Sequence, residues 1–267
     1  MIAQRRGNST DEPEFTMSNG PLPWEAEFKT AFVQVDHQLE KEIALLCEEP
    51  GFPCAALKFD LAHYSDELYG RFNVERPEQF HCWSEKRKAE HLAGRLSVMR
   101  SSNAQITVKI GKNREPLWPN GVVGSISHDA DTALSVLSSS WCYLIGVDIE
   151  PLISVTDWDW LAEEVLGPKE RCLVEASDIA LQRWLPTALF SAKESFYKAI
   201  YPLTQCIFGF DVLTCTDVNH RQLLFEVDAE FRQRMKLPLP SVVTITWTVT
   251  SNQKVVTFIR QKRSSAL

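Results

Sequence analysis

The sequence predicts an α+β fold built as two similar blocks, and not a doubly wound parallel sheet. Strand-like and helical runs recur in two successive series, with the handover between residues 140 and 148. The composition is that of a globular chain: 267 residues, 44% hydrophobic and 24% charged. That length suffices for a core without covalent staples.

Taken in order, residues 24–47 mix apolar and acidic positions and predict a helical run near Gln38 to Cys47. Residues 52–64 read as extended. Ser84 can cap a long helix over 84–100, whose apolar positions Ala89, Leu92, Ala93, Leu96 and Met99 recur at three-four spacing. Its other face is basic, with Lys86, Arg87, Lys88, Arg95 and Arg100. Strands are predicted at 106–110, 122–127, 132–138 and 141–150, with a turn-rich link at 111–121. A loop and helices fill 154–184, and Pro186 opens a helix ending near Tyr201 and Pro202. The remainder alternates as strands as far as Phe258.

The first twenty residues are polar, carry Asp11-Glu12-Pro13-Glu14, and read as a disordered extension over 1–20; Met17 is an alternative start. The longest apolar region, 133–149, is interrupted by four serines and a carboxylate, so no membrane span is expected. The net charge of −7 argues against duplex nucleic acid as a partner. Seven scattered cysteines without a C-x-x-C fit reduced thiols in a cytoplasm.

Three places carry candidate chemistry. Asp148 and Glu150 fall on one face of a strand that leaves an apolar run. Two such acids need a cation, an arginine or a proton between them, and hard oxygens at this spacing suit Mg²⁺; an isolated pair of this kind is more often a strand end in water. Glu194 and Lys198 share a helix face, with Lys193 about a hundred degrees away. They read either as a surface salt bridge or as a metal ligand or base beside phosphate-binding lysines. Ser127-His128 lies at a loop mouth after a short strand, and Arg114 precedes Pro116 and Pro119 in a rigid turn. Each could meet an anion, and each could equally be an ordinary surface residue.

These pieces stand in one order: KRKAEHLAGR (86–95), REPLWPNGVVGSISH (114–128), IGVDIE (145–150) and FSAKESFYKA (190–199). In that order they resemble the 4′-phosphopantetheinyl transferases of the surfactin type, most closely the branch that serves enterobactin synthase. The resemblance covers about residues 52–258, leaves out 1–20 and is vague over 21–50. It implies two pseudo-twofold-related halves, 21–145 and 146–260, each a small antiparallel sheet with packed helices, followed by a tail over 261–267, with the active site in the cleft between the halves. It implies Mg²⁺-dependent transfer of phosphopantetheine from coenzyme A to a serine of an apo carrier protein, in a monomer. Asp148, Glu150 and Glu194 would hold the metal. Glu194, or a water on the metal, would take the serine proton. His128 and Lys198 would contact the pyrophosphate with Lys193 nearby, Ser127 and Arg114 would border the nucleotide, and Arg87 and Arg95 would reach the 3′-phosphate. A Mg²⁺-dependent phosphodiesterase or nuclease, and a non-catalytic carrier-binding protein, are the alternatives. Asp129 departs from the family pattern; paired with His128, it would raise the imidazole pKa.

Overall fold

The computed structural model describes residues 30–48, 51–154, 157–237 and 239–263. The extension, Met17 and the last four residues of the tail lie outside them. The first half contains β1 (Val33–Val35), α1 (His37–Cys47), β2 (Cys54–Phe59), α2 (Glu67–Arg71), α3 (Glu85–Ser102), β3 (Lys109–Ile110), β4 (Pro116–Leu117), β5 (Val123–His128) and β6 (Thr132–Ser138). The second contains β7 (Tyr143–Pro151), α4 (Trp158–Glu164), α5 (Pro168–Ala176), α6 (Ile179–Gln182), α7 (Leu185–Thr204), β8 (Leu213–Val218), β9 (Gln222–Val227), α8 (Ala229–Arg234), β10 (Val242–Val249) and β11 (Lys254–Lys262).

Both main sheets are antiparallel: one in the order β1-β2-β6-β5, the other β7-β11-β10-β9-β8. The α+β architecture of two similar halves is therefore as expected, each sheet carrying one long helix. Ser84 caps α3 by accepting from Arg87 N, and the predicted stripe Ala89, Leu92, Ala93, Leu96 and Met99 is buried with Leu57 and Phe59 of β2. On α7, Leu189, Ala192, Phe196, Ala199 and Ile200 are buried in a core with Leu144, Val255 and Ile259.

Three elements differ from expectation. β1 is an edge strand of three residues, too short for an alternation signal. The strand expected at 106–110 shrinks to Lys109–Ile110, because the Val108 carbonyl accepts from Arg95 Nε at 2.9 Å instead of from a neighbouring strand. α7 runs past Pro202, and Gln205, in the left-handed region, closes it by donating to Tyr201 O at 2.8 Å.

The two sheets meet at β5 and β7 through side chains. Ser125 Oγ accepts from Val147 N at 3.0 Å and Ser127 Oγ from Ile149 N at 3.3 Å, so serine hydroxyls replace the strand-to-strand carbonyls there. Ile145, Val147 and Ile149 face a core shared with Leu39, Ile43 and Leu46 of α1. The alternate positions of β7, which include Gly146, Asp148 and Glu150, face α7.

Candidate active site

Helix α7 is set on β7 at unusually close range. A Cβ on Gly146 would lie 1.9 Å from Ser195 O and 3.0 Å from Ala199 N, so only glycine admits the helix here. Two small residues of the helix complete the contact: Ser191 Oγ meets Thr257 Oγ1 at 2.9 Å and Ser195 Oγ meets it at 2.7 Å. Thr257 is the β11 register partner of Asp148. Helix register is thereby tied to the strand that carries the acids, and Glu194 and Lys198 come to lie over Asp148 and Glu150.

The Lys198 ammonium goes to Asp148 Oδ1 at 2.6 Å and Ser127 Oγ at 2.8 Å, and Ser127 Oγ donates to the same Asp148 oxygen at 2.8 Å. Asp148 is 2% exposed, yet its Oδ2 has no hydrogen-bond partner. Burial, then the charges of Asp148 and Glu194, push Glu150 up to about 8 against the opposing Lys198. Burial likewise raises Glu194, with Lys198 opposing and Asp148 reinforcing. Three carboxylates thus share one lysine.

Among the described residues no group of three His, Cys, Asp or Glu side chains is drawn closely enough to enclose a metal ion. The expected trio is brought within electrostatic reach but not into a closed ligand set. The residues nevertheless fit a hard divalent cation: the donors are carboxylate oxygens, one buried oxygen lacks a partner, and like charge accumulates.

The cations of the first half sort into two groups. Arg87 lies with Cζ 4.5 Å over the Trp83 ring; its Nε has no hydrogen-bond partner, and burial followed by the nearby Arg114 charge lowers its pKa. Arg114 has φ 71, so its turn holds it in a left-handed conformation. The Arg114 charge thus acts on Arg87, with Glu90 opposing it. The rest of the basic face is dispersed: Lys88 pairs with Asp66 at 2.9 Å, Lys86 with Glu90 at 3.7 Å, and Arg100 with Glu40 at 2.9 Å.

Several expectations require correction. Arg95 is 9% exposed and tied to Val108 O, which makes it a core residue of α3 in this structure, not an open phosphate contact. Lys193 turns inward: its Nζ donates to Val165 O and to Glu170 Oε2, both at 2.7 Å, so its charge is taken up within the second half. Ser127 is 3% exposed and links Asp148, Lys198 and Ile149 N. Asp129 pairs with Lys254 at 2.8 Å and not with His128. The His128 pKa moves down, because partial burial and the Lys198 and Arg87 charges outweigh Asp148 and Glu90, the latter with its carboxylate 4.0 Å away.

Glu90, Glu170 and Lys254 were missed by sequence reasoning. Only Glu90 had a signal, its three-residue spacing from Arg87 on one helix face. A cavity of about 150 Å³ also adjoins Glu194, lined by Tyr197, Ile207, Phe208, Phe210 and Leu213 among others.

These features define a two-half α+β protein with buried carboxylates of the second half at the junction and basic side chains on the first. Comparison with known proteins then identifies the family. Residues 76–138 match the 4′-phosphopantetheinyl transferase N-terminal domain, and residues 144–240 match the 4′-phosphopantetheinyl transferase superfamily. The chain belongs to that superfamily. It is 42% identical over 137 residues to enterobactin synthase component D of Salmonella typhi, covering 50% of this chain and 56% of that protein. It is 41% identical over 117 residues to enterobactin synthase component D of Escherichia coli (strain K12), covering 43% and 55%. It is 36% identical over 124 residues to the 4′-phosphopantetheinyl transferase Npt of Nocardia iowensis, covering 46% and 54%. The chain thus spans a little over half the length of these relatives.

Proposed function

We propose that this protein transfers 4′-phosphopantetheine from coenzyme A to a serine hydroxyl of an apo carrier protein, in a siderophore pathway of the enterobactin kind. The observation that carries the reading is the array Ser127–Asp148–Lys198, built from both sheets beside Glu150 and Glu194, in a chain of this superfamily. The carrier serine oxygen forms a bond to the β-phosphorus of coenzyme A. The bond from that phosphorus to the bridging oxygen breaks, and adenosine 3′,5′-bisphosphate leaves.

Glu194, its basicity raised by burial, accepts the serine proton. Lys198 and His128 bind the pyrophosphate oxygens, and Arg87 with Arg114 binds the nucleotide phosphate. The pantetheine arm follows the apolar cavity beside Glu194. Asp148, Glu150 and Glu194 are the residues that would hold Mg²⁺, which supplies charge neutralisation at the pyrophosphate. The halves 21–145 and 146–260 supply the nucleotide cations and the carboxylates respectively, within one cytoplasmic monomer. Among the described residues no helix is long and apolar enough to cross a membrane.

The test is incubation with coenzyme A, Mg²⁺ and a panel of peptidyl, aryl and acyl apo carriers, read by mass spectrometry. A phosphopantetheine increment on a carrier serine is expected. A folded protein that modifies no carrier overturns the reading.

A further inference from the structure

Lys254 begins β11 in the second half, opposite Pro151 and next to the pair Val255–Glu150. Its side chain, 15% exposed, reaches across the junction to the turn between β5 and β6. There Nζ donates to Asp129 Oδ1 at 3.0 Å, to Thr132 Oγ1 at 2.8 Å, and to Asp131 Oδ1. It also lies 2.8 Å from Asp129 Oδ2.

The turn has bonds of its own. Asp129 N donates to Thr132 O at 2.9 Å, and Asp129 Oδ1 accepts from Asp131 N at 3.2 Å and Thr132 N at 3.0 Å. These shape the turn. Ser127 already joins β5 to β7 on one side of His128, through Ile149 N at 3.3 Å, and the turn follows immediately on the other side, so the placement of the turn fixes the second flank of the imidazole. The β10–β11 hairpin grips the first half at a second point: Asn252 Nδ2 donates to Asp36 Oδ2 at 3.1 Å and Ser251 N to the Glu42 carboxylate at 3.3 Å. Charge gives the lysine a further task. The Asp129 side chain is 5% exposed, and without a cation only the Asp131 and Thr132 N–H groups would offset its buried negative charge beside an anion site.

We propose that Lys254 is a positioning residue: it holds the turn that carries His128 against the carboxylate strand and cancels the Asp129 charge, so that an incoming diphosphate meets the imidazole and not an acid. This rests on the transferase reading for its kinetic consequence, but not for its geometry.

The experiment uses the full chain with Lys254→Met, Lys254→Arg, the double variant Lys254→Met/Asp129→Asn, and Lys262→Met as an exposed control. Thermal melts establish folding. With carrier saturating, Lys254→Met is expected to raise KM for coenzyme A about tenfold while kcat stays within about threefold, and Lys254→Arg and the double variant recover most of that loss. The His128 imidazole ¹H–¹⁵N resonances are expected to shift in Lys254→Met and not in Lys262→Met. A folded Lys254→Met with KM within about twofold of the parent and unmoved His128 resonances overturns the proposal, as does a loss confined to kcat. If the parent chain transfers nothing, the transferase reading fails, and the His128 resonances alone still decide whether Lys254 positions the turn.

Discussion

Lys198 of α7 and Asp148 of β7 meet at 2.6 Å, each from an element the other helps to place. The contact exists because Gly146, two positions before Asp148, lets the helix backbone reach the strand. Four residues separate Lys198 from Glu194, the spacing of a helical ion pair, yet the ammonium goes to the buried acid on the strand and to Ser127. A buried carboxylate that loses such a partner pays a larger desolvation cost than an exposed one, so Asp148 takes the cation.

Asp148→Ala and Glu194→Ala are each expected to lower transfer at least about a hundredfold with the fold retained. The check is initial rate on a carrier alongside circular dichroism. Activity within severalfold of the parent removes these carboxylates from the chemistry.

Lys193→Met is expected to destabilise the protein by about 3–5 kcal/mol, since it strands Glu170 in the interior. Both side chains are 2% exposed, and Glu170 Oε1 also accepts from Cys215 N at 2.9 Å. Denaturant melts measure the loss. KM for coenzyme A in the folded fraction should stay unchanged; a rise there would return Lys193 to the phosphate site.

Gly146→Ala places a methyl against the backbone of Ser195, which cannot rotate away. A loss of about 2–3 kcal/mol or more is expected, with activity falling further than stability because Glu194 and Lys198 move with the helix. A variant as stable and active as the parent would mean that α7 is not registered by this contact.

The pH dependence of the metal-free protein follows from Glu150, whose pKa rises from 4.5 to about 8 on folding. Between those values the folded state binds the extra proton. Stability from this group is therefore complete below about 4.5 and falls as pH rises through about 8. Melting temperature without divalent ions should decline over that window, and Glu150→Gln should flatten the slope. Added Mg²⁺ should raise the melting temperature more at pH 8 than at pH 6, since it competes with that proton.

Arg87→Ala should raise KM for coenzyme A about tenfold and leave KM for dephospho-coenzyme A nearly unchanged, because burial and the Arg114 charge disfavour the Arg87 charge more than the nearby Glu90 supports it, and a phosphate would relieve that. Equal effects on both nucleotides would detach Arg87 from the 3′-phosphate.

The sequence by itself determined the architecture and the acids. The three-four stripes of α3 and α7 and the alternation of β7 are local periodicities, and the solvent gradient they encode puts Leu92, Phe196 and Val147 inside wherever the elements pack. The same period of two placed Asp148 and Glu150 on one face. What only the tertiary structure decided was the partner of each charge. Lys193 and Lys198 are of one type on one helix, yet one is locked to Glu170 of α5 and the other reaches Asp148. Arg87 and Arg95 lie two turns apart, yet one stays at the surface over Trp83 while the other is drawn into the core by Val108 O. Asp129, adjacent to His128 in sequence, is held by Lys254 from the other half. Long-range pairing depends on which side chains the folded backbone brings within a few ångströms. No spacing along the chain specifies that, because these contacts span 13 to 125 residues.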